Sequence, residues 1–367
     1  MSWSIGFDDI SDLARGAAVL GTGGGGDPYI GALLARQAIT EHGPVTAVPL
    51  DELDDDALVI TVGMLGAPTV MVEKLPTLES IIAPVRAMDA HLGRPATHVA
   101  CAEIGGVNST IPIAAAAALG LPLLDADGMG RAFPELQMVL PTLSGISASP
   151  LAFADEKGNV GVVQTIDNSW TERIVRVSAV EMGCSVMICG FAMSGAQARE
   201  SLVRDSLQRS LHLGAGIAQA RLDKTDPVTR AVDILAGREL FAGKVVDVER
   251  ATTTGFARGT ATLTGADGAR LTLRFQNEHL IASSGGDEVL ATTPDLIIVL
   301  EHDTGEPVTT EGLRYGQRVR VIAAPSDPRW HSAAGLAMVG PGYFGYDVPA
   351  RRFDGQIFDG QISEVSA

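Results

Sequence analysis

HVACAEIGGVNSTIPIAAAAALGLPLLDADG, His98 to Gly128, alternates two apolar runs with a small-residue run rich in alanine. The spacing predicts a strand over Thr97–Ala102, a loop over Glu103–Asn108, a helix over Ser109–Leu119 and a second strand over Pro122–Asp125. Upstream, ALVITVGMLGAP (Ala57 to Pro68) gives another buried strand closing on Gly63, Gly66 and Pro68, and a helix follows from Val72 to Leu92. A short strand is expected over Val45–Pro49. Strand, helix, strand in this order predicts an N-terminal α/β domain with a mostly parallel, open sheet.

Ligands bind such sheets at the carboxyl ends of the strands. Three groups fall there: Gly63 to Gly66; Glu103 with Asn108 and Ser109; and Asp125 with Asp127. Any one acid is also a turn or cap residue, Ser109 is a natural cap for the polyalanine helix, and Asp125 and Asp127 fit a solvated Asx turn.

LGTGGGGDPYIG, Leu20 to Gly31, is the second informative stretch, with five glycines in its first seven residues. Each glycine is destabilising by roughly 0.5–1 kcal/mol against alanine in a regular element, so the run implies close approach of bare backbone. Asp27 is placed as an N-cap and Pro28 at the first helical position of YIGALLARQAI. The preceding FDDISDLARGAAVL has helical spacing, and no Gly-Lys-Ser/Thr follows, so the loop joins two helices and lacks the strand of a nucleotide-binding motif. Two readings stay open: amides of Gly23, Gly24, Gly25 and Gly26 holding an anionic or polarised ligand at a helix N-terminus, or a tight packing turn.

The 367 residues suggest two domains, 1–168 and 169–367. Hydrophobic content is 46% with 42 glycines, as in a globular α/β protein. The net charge of −17 argues against nucleic acid and anionic membrane as partners. No apolar run is long enough to span a bilayer and no leader is evident at Met1, so a cytoplasmic location is expected. Cys101, Cys184 and Cys189 lie in apolar segments and are expected to be buried thiols.

Residues Leu143 to Val180, including WTERIVRVSAV, are expected to be β-rich. A long helix is expected over Gly195–Ala220, with Ser194 and Gln197 at capping-box spacing. From about Leu235 alternating runs separated by Gly, Asp and Asn turns predict antiparallel β structure, a small barrel or sandwich, so the C-terminal domain is β-rich (α+β). Within it QNEHL, Gln276 to Leu280, is either a hairpin edge or a wall of a site.

LGTGGGGDPYIG, CAEIGGVNSTIPIAAAAALGLPLLDADGMGRAFPE and PDLIIVL together resemble a bacterial family of S-methyl thiohydantoin or thiohydantoin desulfurases, associated with hydantoinases, over nearly the whole chain. The resemblance implies hydrolysis of a small cyclic, amide-like substrate to a hydantoin with loss of methanethiol or sulfide. It assigns no role to individual residues. Such hydrolysis needs a base, an acid and donors for the ring, and the seven histidines are scattered singly. Asp27, Glu103, Asp125 and Asp127 are therefore the catalytic candidates. Gly23 to Gly26, Asn108, Asn277 and Glu278 are the substrate-binding candidates, with Arg131 or Asn108 as a partner for a crowded carboxylate. A zinc-bound hydroxide on Asp125, Asp127 and a histidine is the metal alternative. A non-catalytic, ligand-binding companion of hydantoin-metabolising enzymes is the alternative function. A homo-oligomer is expected.

Overall fold

The computed structural model describes residues 1–66, 74, 76–253, 256–285 and 288–356, in two compact units. The first comprises Met1–Gly21 and Gly25–Ala215; the second comprises Thr22–Gly24 and Gly216–Ala367.

In the first unit the chain runs β1 (Trp3–Ile5), α1 (Ile10–Leu20), α2 (Tyr29–His42), β2 (Val45–Val48), β3 (Leu58–Gly66), α3 (Leu78–Leu92), β4 (His98–Cys101), α4 (Ile111–Leu119), β5 (Leu123–Asp127), α5 (Leu140–Leu143), β6 (Leu151–Ala154), β7 (Val160–Val163), α6 (Asn168–Glu181), β8 (Ser185–Ser194), α7 (Gly195–Ser201), β9 (Val203–Arg204) and α8 (Ser206–Leu222), the last crossing into the second unit's residues. The strands form one mixed sheet in the order β1-β2-β5-β4-β3-β8-β6-β7, with β9 on β5. The centre β2-β5-β4-β3 is parallel and the flanks are antiparallel. This N-terminal part is thus α/β, with a parallel sheet centre.

Local sequence explains the helices that carry the site. α3 opens on a Thr77/Ser80 capping box. α4 is apolar all round and buried on nearly every side, which suits a helix laid on the sheet centre, and Gly120 ends it at φ +66°. α1 and α8 approach so closely that a β-carbon on Gly16 would stand 1.8 Å from Ser210 O, and one on Gly214 1.8 Å from Asp12 O. Only glycine permits that crossing.

In the second unit α9 (Pro227–Leu235) precedes β10 (Arg238–Thr253), β11 (Phe256–Thr264), β12 (Arg270–Gln276), β13 (Glu278–Ser284), β14 (Val289–Thr292), β15 (Leu296–Glu301) and β16 (Arg318–Ala324), and α10 (Ala333–Val339) follows. All seven strands pair antiparallel in the order β14-β13-β12-β11-β10-β16-β15. The sheet curls until β13 and β14 approach β15. Alternate residues such as Leu263, Leu271, Leu273 and Val321 fill one core, each worth about 1.5–3 kcal/mol on burial. The C-terminal part is β-rich with helices at its ends, and barrel-like.

Several expectations are corrected. WTERIVRVSAV is the body of α6 and not a strand: Asp167 Oδ1 accepts from Trp170 N at 2.8 Å, and Thr171, Glu172, Val175 and Ala179 are buried at helical spacing. Its β-branched residues suggested strand, and the cap overrides them. The helix expected over Gly195–Ala220 is broken into α7 and α8 by β9 and by Asp205, which takes φ +56°. Gly63 and Gly66 lie within β3, paired to β8, and not in a loop beyond it. Asp125 and Asp127 lie within β5. The helix expected from Val72 begins at Leu78, Val72 itself being outside the described residues. Cys184 is exposed, at φ +70° in the turn after α6; Cys101 and Cys189 are buried. Among the described residues no helix is long and apolar enough to cross a membrane.

Candidate functional site

Three chain segments converge beyond the parallel strands of the first unit. After β4 the chain passes through Glu103 and a 3-10 turn, Gly106–Ser109, before α4. Gly25 and Gly26 lie on this turn: a β-carbon on Gly25 would meet Gly105 C and O at 2.8 Å, and one on Gly106 would meet Gly25 O at 2.1 Å. Val107 N donates to Gly25 O at 2.9 Å. Gly25 (φ +70°), Gly26 (+76°) and Gly106 (+60°) all adopt left-handed backbone, so both glycine requirements, dihedral and contact, are met here.

Glu103 is buried, and its Oε1 accepts from Asn108 Nδ2 at 2.6 Å. Asn108 is held in turn by β3: Oδ1 accepts from Met64 N at 2.6 Å, and Nδ2 also donates to Met64 O at 3.3 Å. Ser109 is not the cap of α4; its hydroxyl donates to Gly106 O at 2.8 Å inside the 3-10 turn.

Asp127 supports this turn from below. Its Oδ2 accepts from Ile104, Met129 and Gly130 amides at 2.8–2.9 Å, and its Oδ1 accepts from Ser206 Oγ at 2.5 Å. Burial pushes its carboxyl up to about 6 in spite of these four donors. Asp125 Oδ1 accepts from Leu207 N (2.8 Å) and Gln208 N (3.2 Å), and Oδ2 accepts from Trp3 Nε1 (3.1 Å). Burial raises its carboxyl too, against those same bonds. Both aspartates thus anchor the first turn of α8, whose amides and dipole favour an anion.

Cys101 lies among these groups. Burial raises its thiol first, followed by the charges of Asp127, Asp125 and Glu103, so it is no nucleophile at neutral pH. Asp27 stands apart from the buried carboxylates: it is exposed, and its Oδ1 accepts from Tyr29 N at 2.9 Å just ahead of α2, whose N-cap is Pro28 and not Asp27. Arg131 is fully buried beside the turn, with Nε donating to Ala132 O at 2.9 Å and its guanidinium 4.4 Å from the Phe133 ring centre.

The remaining candidates lie in the second unit. Thr22 O accepts from His279 N, and Gly23 O from Thr310 N, each at 2.8 Å. A β-carbon on Gly24 would stand 2.0 Å from Glu278 Oε1, and one on Gly23 2.7 Å from the His279 ring. Asn277, at φ +57° between β12 and β13, is pinned to Ala257 by two hydrogen bonds of 2.8 and 2.9 Å. QNEHL is therefore a chain reversal with Gln276, Glu278 and His279 buried, and not a solvated edge. His279, Thr310, Trp3 and Ser206 carried no sequence signal beyond the neighbourhood of Glu278 in one case.

As metal ligands Asp125 and Asp127 do not fit, since their oxygens already serve seven hydrogen-bond donors. No group of three or more His, Cys, Asp and Glu is gathered for a metal among the described residues. In the second unit Asp295, Ser326 and His331 meet, but Asp295 Oδ1 (2.8 Å) and Ser326 Oγ (3.2 Å) both address His331 Nε2. A triad needs them on opposite ring nitrogens.

Models of the S-Me-THD-like N-terminal domain and the S-Me-THD-like C-terminal domain match residues 8–165 and 166–353. The chain belongs to the S-Me-THD-like family. Family membership makes the protein a hydrolase of the thiohydantoin-desulfurase type. It is similar to the crystal structure of a protein from Chromobacterium violaceum, with 25% identity and a TM-score of 0.80 over 97% of this chain and 100% of that one. No curated protein matches.

Proposed function

We propose that the loop after β4 in the first unit is the reacting centre of this S-Me-THD-like enzyme, with Glu103 as its acid–base group. The observation that carries the reading is the Glu103–Asn108 pair: a buried carboxylate, held at 2.6 Å by an amide itself fixed to β3, at the carboxyl end of a parallel strand.

The substrate is a small ring carrying S-methyl on a C=N carbon. As the water oxygen adds to that carbon, Glu103 takes one water proton and passes it to the ring nitrogen, which receives the C=N electron pair; it then takes the second proton from the adduct's hydroxyl and delivers it to sulfur as the C–S bond breaks. Methanethiol leaves and the carbon becomes the carbonyl of a hydantoin. With an unmethylated thione both water protons go to sulfur and hydrogen sulfide leaves. Asn108 is a positioning residue, setting which Glu103 oxygen faces the water. The amides of Gly25 and Gly26, held against the Gly105–Gly106 turn by left-handed backbone, are the donors for the ring in this reading. Asp125 and Asp127 act indirectly, by fixing Ile104 and the start of α8.

Incubating purified protein with an S-methyl thiohydantoin while following thiol release tests the reading. Turnover in the wild type that Glu103→Gln reduces by about 10²-fold or more supports it. Saturable binding without turnover favours the non-catalytic companion.

A further inference from the structure

Among the described residues fourteen large apolar side chains are exposed, and seven of them fall within residues 160–180. They begin with Val160 and Val162 on β7, pass through Ile166 at 87% exposure, and continue along α6. On α6, Trp170, Ile174 and Val177 recur at i, i+4, i+7 and form one stripe. The helix buries Thr171, Glu172, Val175 and Ala179 on the opposite side. A surface helix ordinarily turns polar residues outward; α6 instead turns this apolar stripe outward and buries Thr171 and Glu172 with Val175 and Ala179.

β7 adds a second, separate signal. It is the last strand of its sheet, and among the described residues it pairs with β6 alone, so one of its two edges is without a neighbouring strand there. Edge strands are usually blunted by lysine, proline or a bulge, and Val160–Val163 has none of these.

We propose that β7 and the outer stripe of α6 form the surface on which a second copy of this chain docks about a two-fold axis, α6 lying against its counterpart. Charge favours this occupant at this place. The chain carries −17 overall, which repels a copy elsewhere, whereas residues 160–181 hold two arginines against three acids, a net of −1. Of these, Arg176 is paired with Glu172, and Arg173 lies 5.5 Å from the Trp170 ring centre. Ile166, Val177 and Val180 are the most open of the seven, at 87%, 67% and 54% exposure, and supply an apolar centre for a contact of the usual ~800 Å² per partner. A two-fold contact is self-complementary, so one patch suffices.

Sedimentation velocity of the full chain over about 1–100 μM tests this, with Ile174→Asp and Val177→Arg as variants. Both side chains are exposed, so far-UV circular dichroism and Tm should remain as in the wild type. The wild type is expected to be a dimer, and each variant should raise the dissociation constant about 30-fold or more, as for a central contact. Trp170 emission should shift red on dilution of the wild type, and Trp170→Phe should lose that shift. A wild type that is monomeric throughout, or a dimer that both variants leave intact, overturns the proposal.

Discussion

The side chain of Asn108 is fastened to the backbone of Met64 at both ends, accepting from its N–H at 2.6 Å and donating to its carbonyl at 3.3 Å. β3 thereby sets the position of the group that holds Glu103. Asn108→Ala should lower kcat less than Glu103→Gln, which removes the acid–base group and should lower it by about 10²–10⁴-fold. Asn108→Ala should act on kcat with little change in KM, because it misplaces Glu103 without removing a group that holds the substrate. A kcat unchanged by Asn108→Ala would deny Asn108 its positioning role.

Asp127 makes stability pH-dependent. Its carboxyl is raised by burial to about 6 in the folded chain, above about 3.9 in an unfolded one. The folded state therefore binds more protons between these values, and its stability falls as pH rises from about 4 to about 6, at up to about 1.4 kcal/mol per pH unit. Asp127→Asn should flatten that part of the curve while costing stability through the amide's poorer match to four donors. Chemical denaturation at closely spaced pH values measures both.

Gly25→Ala and Gly106→Ala place a β-carbon against backbone, at 2.8 and 2.1 Å, on left-handed residues. Each should cost about 1–3 kcal/mol and should also lower kcat. Gly342→Ala meets nothing within 4 Å and serves as the neutral control. Loss of stability and activity in strict proportion would assign the glycine run to packing alone.

One thiol should react quickly in the native protein. Cys184 is exposed, while Cys101 and Cys189 are fully buried with thiols raised chiefly by burial. Titration with a thiol reagent should give one equivalent before unfolding and three after. Two rapid equivalents would show that the Cys101 neighbourhood opens.

Chelation separates the acid–base reading from a metal one. Protein shown by elemental analysis to be free of zinc should keep full activity. Loss of activity that zinc restores would require ligands other than the hydrogen-bonded oxygens of Asp125 and Asp127.

Legibility in the sequence followed the range of the forces involved. Periodicity located β3, β4, β5 and their helices, and strand ends located Glu103 and Asn108, because both signals are local. Asp125 and Asp127 were also visible, but their task was not: it depends on Ser206 and Leu207, some eighty positions away. α6 was misread because a single cap, Asp167, outweighs a β-branched composition. The glycine run announced close approach without naming the partner, since Gly105, Gly106, Glu278 and His279 are distant in sequence.

Thr310 donates to the carbonyl of Gly23 across 287 residues. During synthesis at roughly 5–20 residues per second, Gly23 leaves the ribosome about 15 to 60 s before that partner exists. The Thr22–Gly24 strap therefore cannot take its final place until the C-terminal strands have been made. Its settling marks a late event in the life of the nascent chain, and a stalled or truncated product lacking Thr310 leaves the Gly23 carbonyl to water.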